Sequence, residues 1–401
     1  MTTSDRTAGE TVRRTPLHDW HRANGGRMVE FAGWDMPVQY RSGIVAEHLA
    51  TRRRAGLFDV SHMGRFRFRG AGAEAALGRV LTNDPARLAP GRSQYTFIAN
   101  ERGGAEDDAY LYRLDRDDFV LVVNASNAAH DRAWLEGRLE GEVRLADETE
   151  PVAMVALQGP DSERMLETIA PPGSLPATRR NEHACSRFED AGLVVARTGY
   201  TGEAVCFELF VEAGRADSLW SRLVASGAAP VGLGARDSLR LQAGLPLYGH
   251  ELGDDPDGVE IPIFANALAR FGVRSPGGGT DYVGRTALER QREEFDRLRR
   301  GEAGTGQFLP RVVAPIAVFG GRRPLRAGQK VLHDDRHVGF VTSGTSVPTG
   351  REDAAGRPEM RPIGLVLVDS SVPYGSGERV RLRVLDARGN ENEAEIVPGN
   401  L

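Results

Sequence analysis

"GGAEDDAYLYRL", residues 103–114, sets two glycines and two adjacent acids ahead of an alternating apolar segment. The glycines predict a turn, and the segment that follows predicts a strand. Neighbouring residues of a strand point to opposite faces, so Asp107 and Asp108 cannot both enter one site. One of the two is expected to face inward and the other to face water or cap the turn, and Asp108 shares its face with Tyr110 and Tyr112. The stretch alone leaves two interpretations open, an exposed acidic hairpin end and a carboxylate that grips a polar heteroaromatic ring.

The surroundings of this stretch predict an α+β fold. Strand patterns separated by turn residues alternate with amphipathic helices, which favours antiparallel or mixed sheets with helices on one side. The same style is repeated in the second part of the chain. Predicted strands are residues 64–70, 95–100, 109–114, 118–126, 152–159, 192–200 and 206–212, and predicted helices are 47–56, 73–81, 131–139, 161–169, 215–227, 234–244 and 282–301.

The last hundred residues have a different pattern. A glycine-rich linker, "GEAGTGQFLP" (301–310), precedes short alternating segments with turn signals between them, which predict a small antiparallel barrel. The predicted division is therefore a disordered leader (1–14), two α+β domains (15–150 and 151–305) and a C-terminal β-barrel domain (306–401).

Composition restricts the class of protein. The chain of 401 residues carries a net charge of −5, which argues against a general nucleic-acid binder. No apolar segment approaches the roughly 20 residues that a membrane helix needs. The first 14 residues lack the apolar core of a secretory signal, and the two cysteines make neither a disulfide framework nor a metal site. We expect a cytoplasmic protein without a membrane or nucleic-acid partner.

Three other motifs are weaker. "GAGAEA" (70–75) resembles a dinucleotide fingerprint, but the arginines that alternate in the preceding strand do not suit a parallel strand buried on both faces. "GHELGDDPDG" (249–258) matches no calcium or zinc pattern and is expected to be a solvated loop. His62 is interpreted as a hydrogen-bonded structural residue, with a general base as the alternative.

Many segments in order along the chain resemble the aminomethyltransferase family, the T-protein of the glycine cleavage system. They include "EHLATRRRAGLFDVSHMG", the stretch around "GGAEDDAYLYRL", "RTGYTGE" and "GLGARDSLRLQAGLPLYGHEL". The resemblance extends from about residue 15 to the end, through residues 15–40, 47–64, 81–114, 121–127, 156–160, 197–203, 232–252, 282–288, 337–345 and 363–368.

This resemblance implies a three-domain, cloverleaf-like α+β protein with tetrahydrofolate in a central cavity. The family takes an aminomethyl group carried on the lipoyl arm of the H-protein, transfers its methylene carbon to tetrahydrofolate and releases ammonia. It requires no metal.

The resemblance also implies roles for individual residues. Asp108 matches the catalytic aspartate, which holds the reactive ring nitrogen of the folate and assists proton movement. Asp108 is then the inward acid, and Asp107 is expected on the water side of the turn. Glu208 matches the acid that accepts the pterin N–H groups, and Arg236 matches the arginine that pairs with the folate's glutamate carboxylate. The remaining expected folate contacts are Tyr95, Tyr110, Asn124 and Tyr200.

The sequence departs from the family pattern in three places. "GYTGEAVCFE" (199–208) has one extra residue before Glu208, so that Glu208 is expected to need a bulge to face inward. Residues 260–271 lack the usual tryptophan, and 346–360 read as an enlarged loop. The missing tryptophan and the altered loop keep one alternative open, a folate-dependent demethylase or methyltransferase with a small methylated donor. A folate-binding protein without transferase activity is a further alternative, which Asp108 argues against.

Overall fold

The computed structural model describes residues 12–177, 179–277, 281–302, 304–319, 323–352, 355–373 and 379–397. Its helices are α1 (His18–Ala23), α2 (Ile44–Arg53), α3 (Ala73–Val80), α4 (Ala128–Glu136), α5 (Ser162–Leu166), α6 (Ala216–Ala225), α7 (Leu233–Gln242), α8 (Ala269–Gly272) and α9 (Arg285–Arg299). Its strands are β1 (Arg27–Phe31), β2 (Trp34–Gln39), β3 (Gly56–Asp59), β4 (Gly64–Arg69), β5 (Arg92–Ala99), β6 (Ala105–Asp115), β7 (Asp118–Val123), β8 (Arg144–Asp147), β9 (Val152–Gln158), β10 (His183–Phe188), β11 (Ala191–Ala196), β12 (Cys206–Glu212), β13 (Ala229–Val231), β14 (Arg311–Val318), β15 (Lys330–His333), β16 (Arg336–Glu352), β17 (Pro358–Asp369), β18 (Arg381–Leu385) and β19 (Glu391–Ile396).

The first sheet has five strands in the order β5-β6-β7-β4-β8, all antiparallel. Its outer face packs on α3 and α4, where Phe66, Leu77, Leu111 and Leu135 are fully buried. The antiparallel pairing of β4 confirms that "GAGAEA" does not follow a parallel dinucleotide-binding strand. The prediction of helices on one side of the sheet is also confirmed.

The second sheet is mixed, with the order β10-β11-β12-β9-β3-β13 and a parallel pair between β13 and β3. Its outer face packs on α5 and α6, and Phe207, Trp220 and Leu223 are buried there. Strand β3 lies in the range predicted for the first domain, yet it pairs with β9 and β13. The proposed division into domains stays a prediction.

The inner faces of the two sheets pack on each other. Tyr112 and Val122 of the first sheet and Met154 and Phe210 of the second belong to one buried cluster. The result is a four-layer arrangement of helices, sheet, sheet and helices. The alternation of β6 is confirmed by this packing, because Leu111 lies in the helix-side core and Tyr112 in the core between the sheets.

The C-terminal strands form the predicted barrel. It is closed, in the order β14-β17-β16-β15-β18-β19, and each pair of neighbours is antiparallel. Residues of α9 and of the preceding segment, including Ile263 and Phe295, share one core with barrel residues such as Val312 and Val366. The barrel is therefore packed onto the rest of the chain through apolar contacts.

The prediction of an enlarged loop over 346–360 is wrong. Most of this segment belongs to the long hairpin of β16 and β17, in which Val347 pairs with Arg361 and Pro348 with Met360. Val347 is buried, at 3% exposure. The barrel strands therefore continue into this segment, with a register shift between Pro348 and Glu352, where the polar composition predicts a loop. Residues 353 and 354 lie outside the described residues.

Most of the predicted leader also lies outside the described residues, which begin at residue 12. Within the leader, the Arg13 N–H donates to the Gly33 carbonyl at 2.9 Å, and its guanidinium lies 4.0 Å from the centre of the Trp34 ring. Among the helices described above, none is long and apolar enough to cross a membrane.

Gly232 generates the first testable prediction, because it lets α7 approach β2. A Cβ at this position would lie 2.5 Å from the Val38 carbonyl carbon and oxygen, which are backbone atoms. We expect Gly232→Ala to lower the free energy of unfolding by about 1–3 kcal/mol, measured by chemical denaturation. Gly214→Ala, where no atom lies within 4 Å of the added Cβ, is the control and should change stability by less than about 0.5 kcal/mol. Similar losses in both variants would contradict this packing argument.

Candidate active site

The predicted site residues are partly exposed and lie at one edge of the interface between the two sheets, which we call the cleft. Tyr95 comes from β5, Asp108 and Tyr110 from β6, and Glu208 from β12. Asn124 directly follows β7, Tyr200 lies in the connection between β11 and β12, and Arg236 lies in the first turn of α7. Residues from both sheets and from α7 therefore supply one polar and aromatic surface.

Asp108 is held by two donors. The Tyr95 hydroxyl donates to Oδ2 at 2.9 Å, and the Asn124 Nδ2 donates to Oδ1 at 2.7 Å. Burial raises the pKa of Asp108, and these two hydrogen bonds oppose that rise. Burial and the Asp108 charge raise the pKa of Tyr95 well above its usual value, so its hydroxyl remains a donor. The geometry fixes both carboxylate oxygens of Asp108 in the cleft.

Asp107 is not at the water side of the turn, and that prediction is wrong. It is fully buried, at 0% exposure, on the face of β6 covered by α4. Its Oδ2 accepts the Asn124 backbone N–H at 2.9 Å, and its Oδ1 accepts the Asn124 Nδ2 at 2.7 Å. The two acids do point to opposite faces, as the alternation predicts. The helix layer over the second face is what excludes water from Asp107.

Tyrosine rings form a wall along the same face as Asp108. The ring centres of Tyr95 and Tyr110 are 6.3 Å apart, and those of Tyr110 and Tyr112 are 5.6 Å apart. The Tyr110 hydroxyl donates to Asn181 Oδ1. Tyr110 and Tyr112 follow one another on this face of β6, and Tyr95 pairs with Tyr110 from the neighbouring strand β5, so the face is suited to a flat ring system.

Glu208 faces the cleft without a bulge, so the prediction of a bulge is wrong. Strand β12 keeps a regular register with both neighbours, pairing Glu208 with Ala156 and Ala196. The extra residue lies in the connection before the strand, where the backbone is irregular from Tyr200 to Val205. The Tyr112 hydroxyl donates to Oε2 at 2.7 Å, and the Thr198 hydroxyl donates to the same atom. Oε1 accepts no hydrogen bond from the described residues, so it remains available to a ligand.

Arg236 lies over the Tyr200 ring, with its guanidinium carbon 4.6 Å from the ring centre. Burial lowers the pKa of Arg236, and the charge of Glu208 partly opposes this effect. No carboxylate among the described residues pairs with it, whereas Arg240, one turn later, pairs with Glu251 at 3.0 Å. A half-buried cation without an internal partner is a natural receptor for an anion.

His62 does not have the properties of a general base. Its side chain is 3% exposed, and Nδ1 is buried without a hydrogen-bond partner in the described structure. Burial, together with the charges of Arg236 and Arg65, lowers its pKa to about 3 against the opposing charge of Asp59. The imidazole is therefore neutral and weakly basic at neutral pH. The prediction of a hydrogen-bonded structural histidine is not confirmed at Nδ1, which has no partner among the described residues.

The acidic segment 249–258 is only partly solvated, so the loop prediction needs correction. Glu251 is fully buried against Arg240, and Asp255 is 8% exposed and pairs with Arg311 at 2.9 Å. These pairs join the segment to α7 and to the barrel. Buried partners, which no local pattern reveals, decide the position of these carboxylates.

The segment without the usual tryptophan places a glycine against the site. Gly272, directly after this segment, packs on the Phe97 ring and beside Tyr95, since an added Cβ would be 2.6 Å from Phe97 Cε2 and 3.0 Å from Tyr95 Cδ1. Phe264 is buried against Phe295, and Phe271 is 59% exposed. The residues described here contain no group of three His, Cys, Asp or Glu side chains placed to hold a metal.

Two functional neighbours were missed from the sequence. The sequence places Tyr112 on the face of Asp108 but does not show that its hydroxyl donates to Glu208. Asp131 lies at the back of Asp107 and is fully buried. A signal existed, since Asp131 precedes Trp134 and Leu135 by three and four residues, which puts it on the buried face of a helix.

Comparison with known proteins gives consistent results. Residues 17–263 match the family model described as the GCVT N-terminal domain. The chain is 44% identical over 384 residues to an aminomethyltransferase from Rubrobacter xylanophilus, covering 94% of this chain and 93% of the relative. It is 42% identical over 393 residues to one from Geobacillus kaustophilus, covering 96% and 98%. The crystal structure of glycine cleavage system aminomethyltransferase T from Bartonella henselae superposes with a TM-score of 0.78 at 30% identity, covering 96% of this chain and 97% of that one.

Asn124→Asp tests the side-chain amide that donates to both Asp107 and Asp108. The change replaces a donor with an acceptor between two carboxylates, so we expect the free energy of unfolding to fall by about 3 kcal/mol or more at about pH 8. The loss should shrink at about pH 5, because a protonated side chain regains a donor and the native state binds the extra proton. Asn24→Asp, at an exposed position, is the control. Equal losses at the two pH values would rule out the electrostatic explanation.

Proposed function

This chain belongs to the aminomethyltransferase family, and on that premise we propose that it moves the methylene carbon of an aminomethyl group to tetrahydrofolate, with release of ammonia. The enzyme class is that of its relatives, which match it over nearly its full length. One observation carries the assignment of the site. It is the carboxylate of Asp108, held by Tyr95 and Asn124 at the edge of the cleft between the sheets.

The groups around Asp108 fit a reduced folate. The partly exposed rings of Tyr95 and Tyr110, which pack beside the buried Tyr112, suit the faces of the pterin ring. The free Oε1 of Glu208 can accept the pterin N–H groups, because both internal donors bind Oε2. Arg236, which lacks an internal carboxylate partner, suits the glutamate carboxylate of the folate. Asn124 and Tyr200 support Asp108 and Arg236 respectively.

Spacing along β6 separates two tasks. Four residues divide Asp108 from Tyr112, which places Asp108 about 13 Å along the strand from the residue that holds Glu208. Glu208 therefore suits recognition of one end of a ring system, and Asp108 suits the other end, where the reaction occurs. The bound folate supplies the nucleophilic nitrogen that accepts the one-carbon unit.

We assign to Asp108 the positioning of that nitrogen and the movement of its proton. Holding the two reactants in place removes a large entropic part of the barrier. A raised pKa makes the carboxylate a better proton acceptor at neutral pH than an exposed aspartate. The donors Tyr95 and Asn124 keep the side chain from rotating away. These two donors, one hydroxyl and one amide, leave Asp108 in one orientation before a ligand binds.

The proposed donor is the aminomethyl group on the lipoyl arm of an H-protein, and that H-protein is the proposed partner. The demethylase alternative is not favoured, because the relatives are aminomethyltransferases. The deciding experiment incubates the protein with tetrahydrofolate and aminomethyl-loaded H-protein, and measures ammonia and methylenetetrahydrofolate. A protein that binds folate but forms neither product would refute the proposed reaction. Turnover of a small methylated amine in its place would support the alternative.

Asp108→Asn tests the catalytic role. The amide keeps the size of the side chain but removes the proton acceptor, so kcat should fall by roughly 10²–10⁴-fold. The Kd for tetrahydrofolate, measured by calorimetry, should stay near the wild-type value. Asp115→Asn, the same change at an exposed position of the same strand, should leave kcat unchanged. Wild-type turnover by Asp108→Asn would refute the assigned role.

Arg236→Gln tests recognition of the folate's carboxylate. Loss of a charge-assisted hydrogen bond of about 1.5–3 kcal/mol should weaken tetrahydrofolate binding roughly tenfold to hundredfold. Binding of a tetrahydropterin that lacks the glutamate should be unaffected, and so should kcat at saturating folate. Arg132→Gln, at an exposed helix position, is the control. An equal loss for both ligands would place Arg236 at the pterin instead.

A further inference from the structure

Behind Asp107, a second carboxyl group is buried in the helix layer. Asp131 lies on the inner face of α4, with Trp134 and Leu135, and is 0% exposed. Neither of its carboxyl oxygens has a donor among the described residues. Asp107, also 0% exposed, lies within hydrogen-bonding reach of it. Two acids therefore meet in a place from which water is excluded.

No cation compensates for these two acids among the groups that face them. Strand β6 contributes Glu106, Asp107 and Asp108, and Tyr248 approaches from the segment after α7. His130, on the same helix, is directed to Glu106 at 2.7 Å on the exposed side. Two adjacent buried carboxylates cannot both ionise, so the pair keeps one proton. Burial and the neighbouring carboxylates raise the pKa of both groups, more strongly that of Asp131.

The hydrogen bonds to Asp107 show which of the two groups is the anion. Asp107 accepts two hydrogen bonds, from the backbone N–H and from the side-chain amide of Asn124. Asp131 accepts none, and an undonated buried carboxylate is the costlier ion. The proton therefore belongs on Asp131, where it can be donated to Asp107.

We propose that Asp131 is a positioning residue: its carboxyl group stays protonated, donates to Asp107, and keeps Asp107 the anion that orients Asn124 and thereby Asp108. Each hydrogen of the Asn124 amide goes to a different aspartate. A rotated amide would place its oxygen against both carboxylates. The anion at Asp107 thus determines the orientation of the donor that holds Asp108. The kinetic consequences of this proposal rest on the proposed function, whereas the proton itself does not.

Two substitutions of Asp131 distinguish its hydrogen bond to Asp107 from the packing of its side chain. Asp131→Asn keeps a donor to Asp107 and should keep kcat close to wild type. Asp131→Leu keeps the volume but removes the donor, and kcat should fall roughly tenfold to hundredfold, as expected for a small displacement of a catalytic group, with little change in the Kd for tetrahydrofolate. Asp296→Asn and Asp296→Leu, at an exposed position of α9, are the matched controls.

The proton is observed directly by infrared spectroscopy of the resting protein with isotopically labelled aspartate. Wild type at about pH 8 should show a protonated carboxylic acid band that is absent from Asp131→Asn. The stability of wild type relative to Asp131→Asn should fall as pH rises from about 5 to about 9, because in that range only native Asp131 retains the proton.

A missing band, or equal losses of kcat in the Asn and Leu variants, would overturn the proposal. If Asp131→Leu does not fold, the band and the pH dependence of Asp131→Asn still decide it. If the wild type lacks aminomethyltransferase activity but shows the band, the proposed function fails while the shared proton stands.

Discussion

The hydrogen bond from Tyr112 to Glu208, at 2.7 Å, crosses the interface between the two sheets. Its surroundings are apolar, since Val120, Met154 and Phe210 belong to the same buried cluster. A buried hydroxyl and a carboxylate must find partners, so this pair restricts how the sheets can slide over each other. The same face of β6 continues from Tyr112 to Asp108. The packing of the sheets therefore also places the carboxylate that we assign to catalysis.

A second constraint acts from outside the sheets, at the glycine turn before β6. The Gly103 carbonyl accepts hydrogen bonds from the Ile263 backbone at 3.1 Å and from Gln291 Nε2 at 3.0 Å. A Cβ on Gly104 would lie 2.2 Å from Glu260 Cδ. Gly103 has a φ of +84°, and a Cβ on it would lie 2.4 Å from Gln291 Nε2, so residues that lead to the barrel pack closely against both glycines. The C-terminal part of the chain supports the site without contributing its carboxylate.

Asn124 connects the two sides of β6. Its side-chain amide donates one hydrogen bond to Asp107 on the helix side and one to Asp108 on the cleft side. The two aspartates are therefore linked although they point to opposite faces, and the helix side stabilises the cleft side. Burying the carboxylate charges of Asp107 and Asp131 is unfavourable. Hydrogen bonds to Asp107 and the proton that we propose on Asp131 reduce this unfavourable free energy. Such an arrangement is rigid before any ligand arrives, which is the requirement for positioning a nucleophile.

The sequence by itself determined the α+β pattern, the barrel, the opposite facing of Asp107 and Asp108, and, through its resemblance to a family, the set that meets at the cleft. These features follow from local periodicity and from motifs that can be read along the chain. Tertiary structure alone decided what covers each face. In the folded chain α4 covers Asp107, and the extra residue lies in the connection before β12, so that Glu208 needs no bulge. Most of residues 346–360 belongs to a hairpin, and Glu251 is buried against Arg240. Burial depends on partners distant in sequence, and no local pattern of residues specifies them.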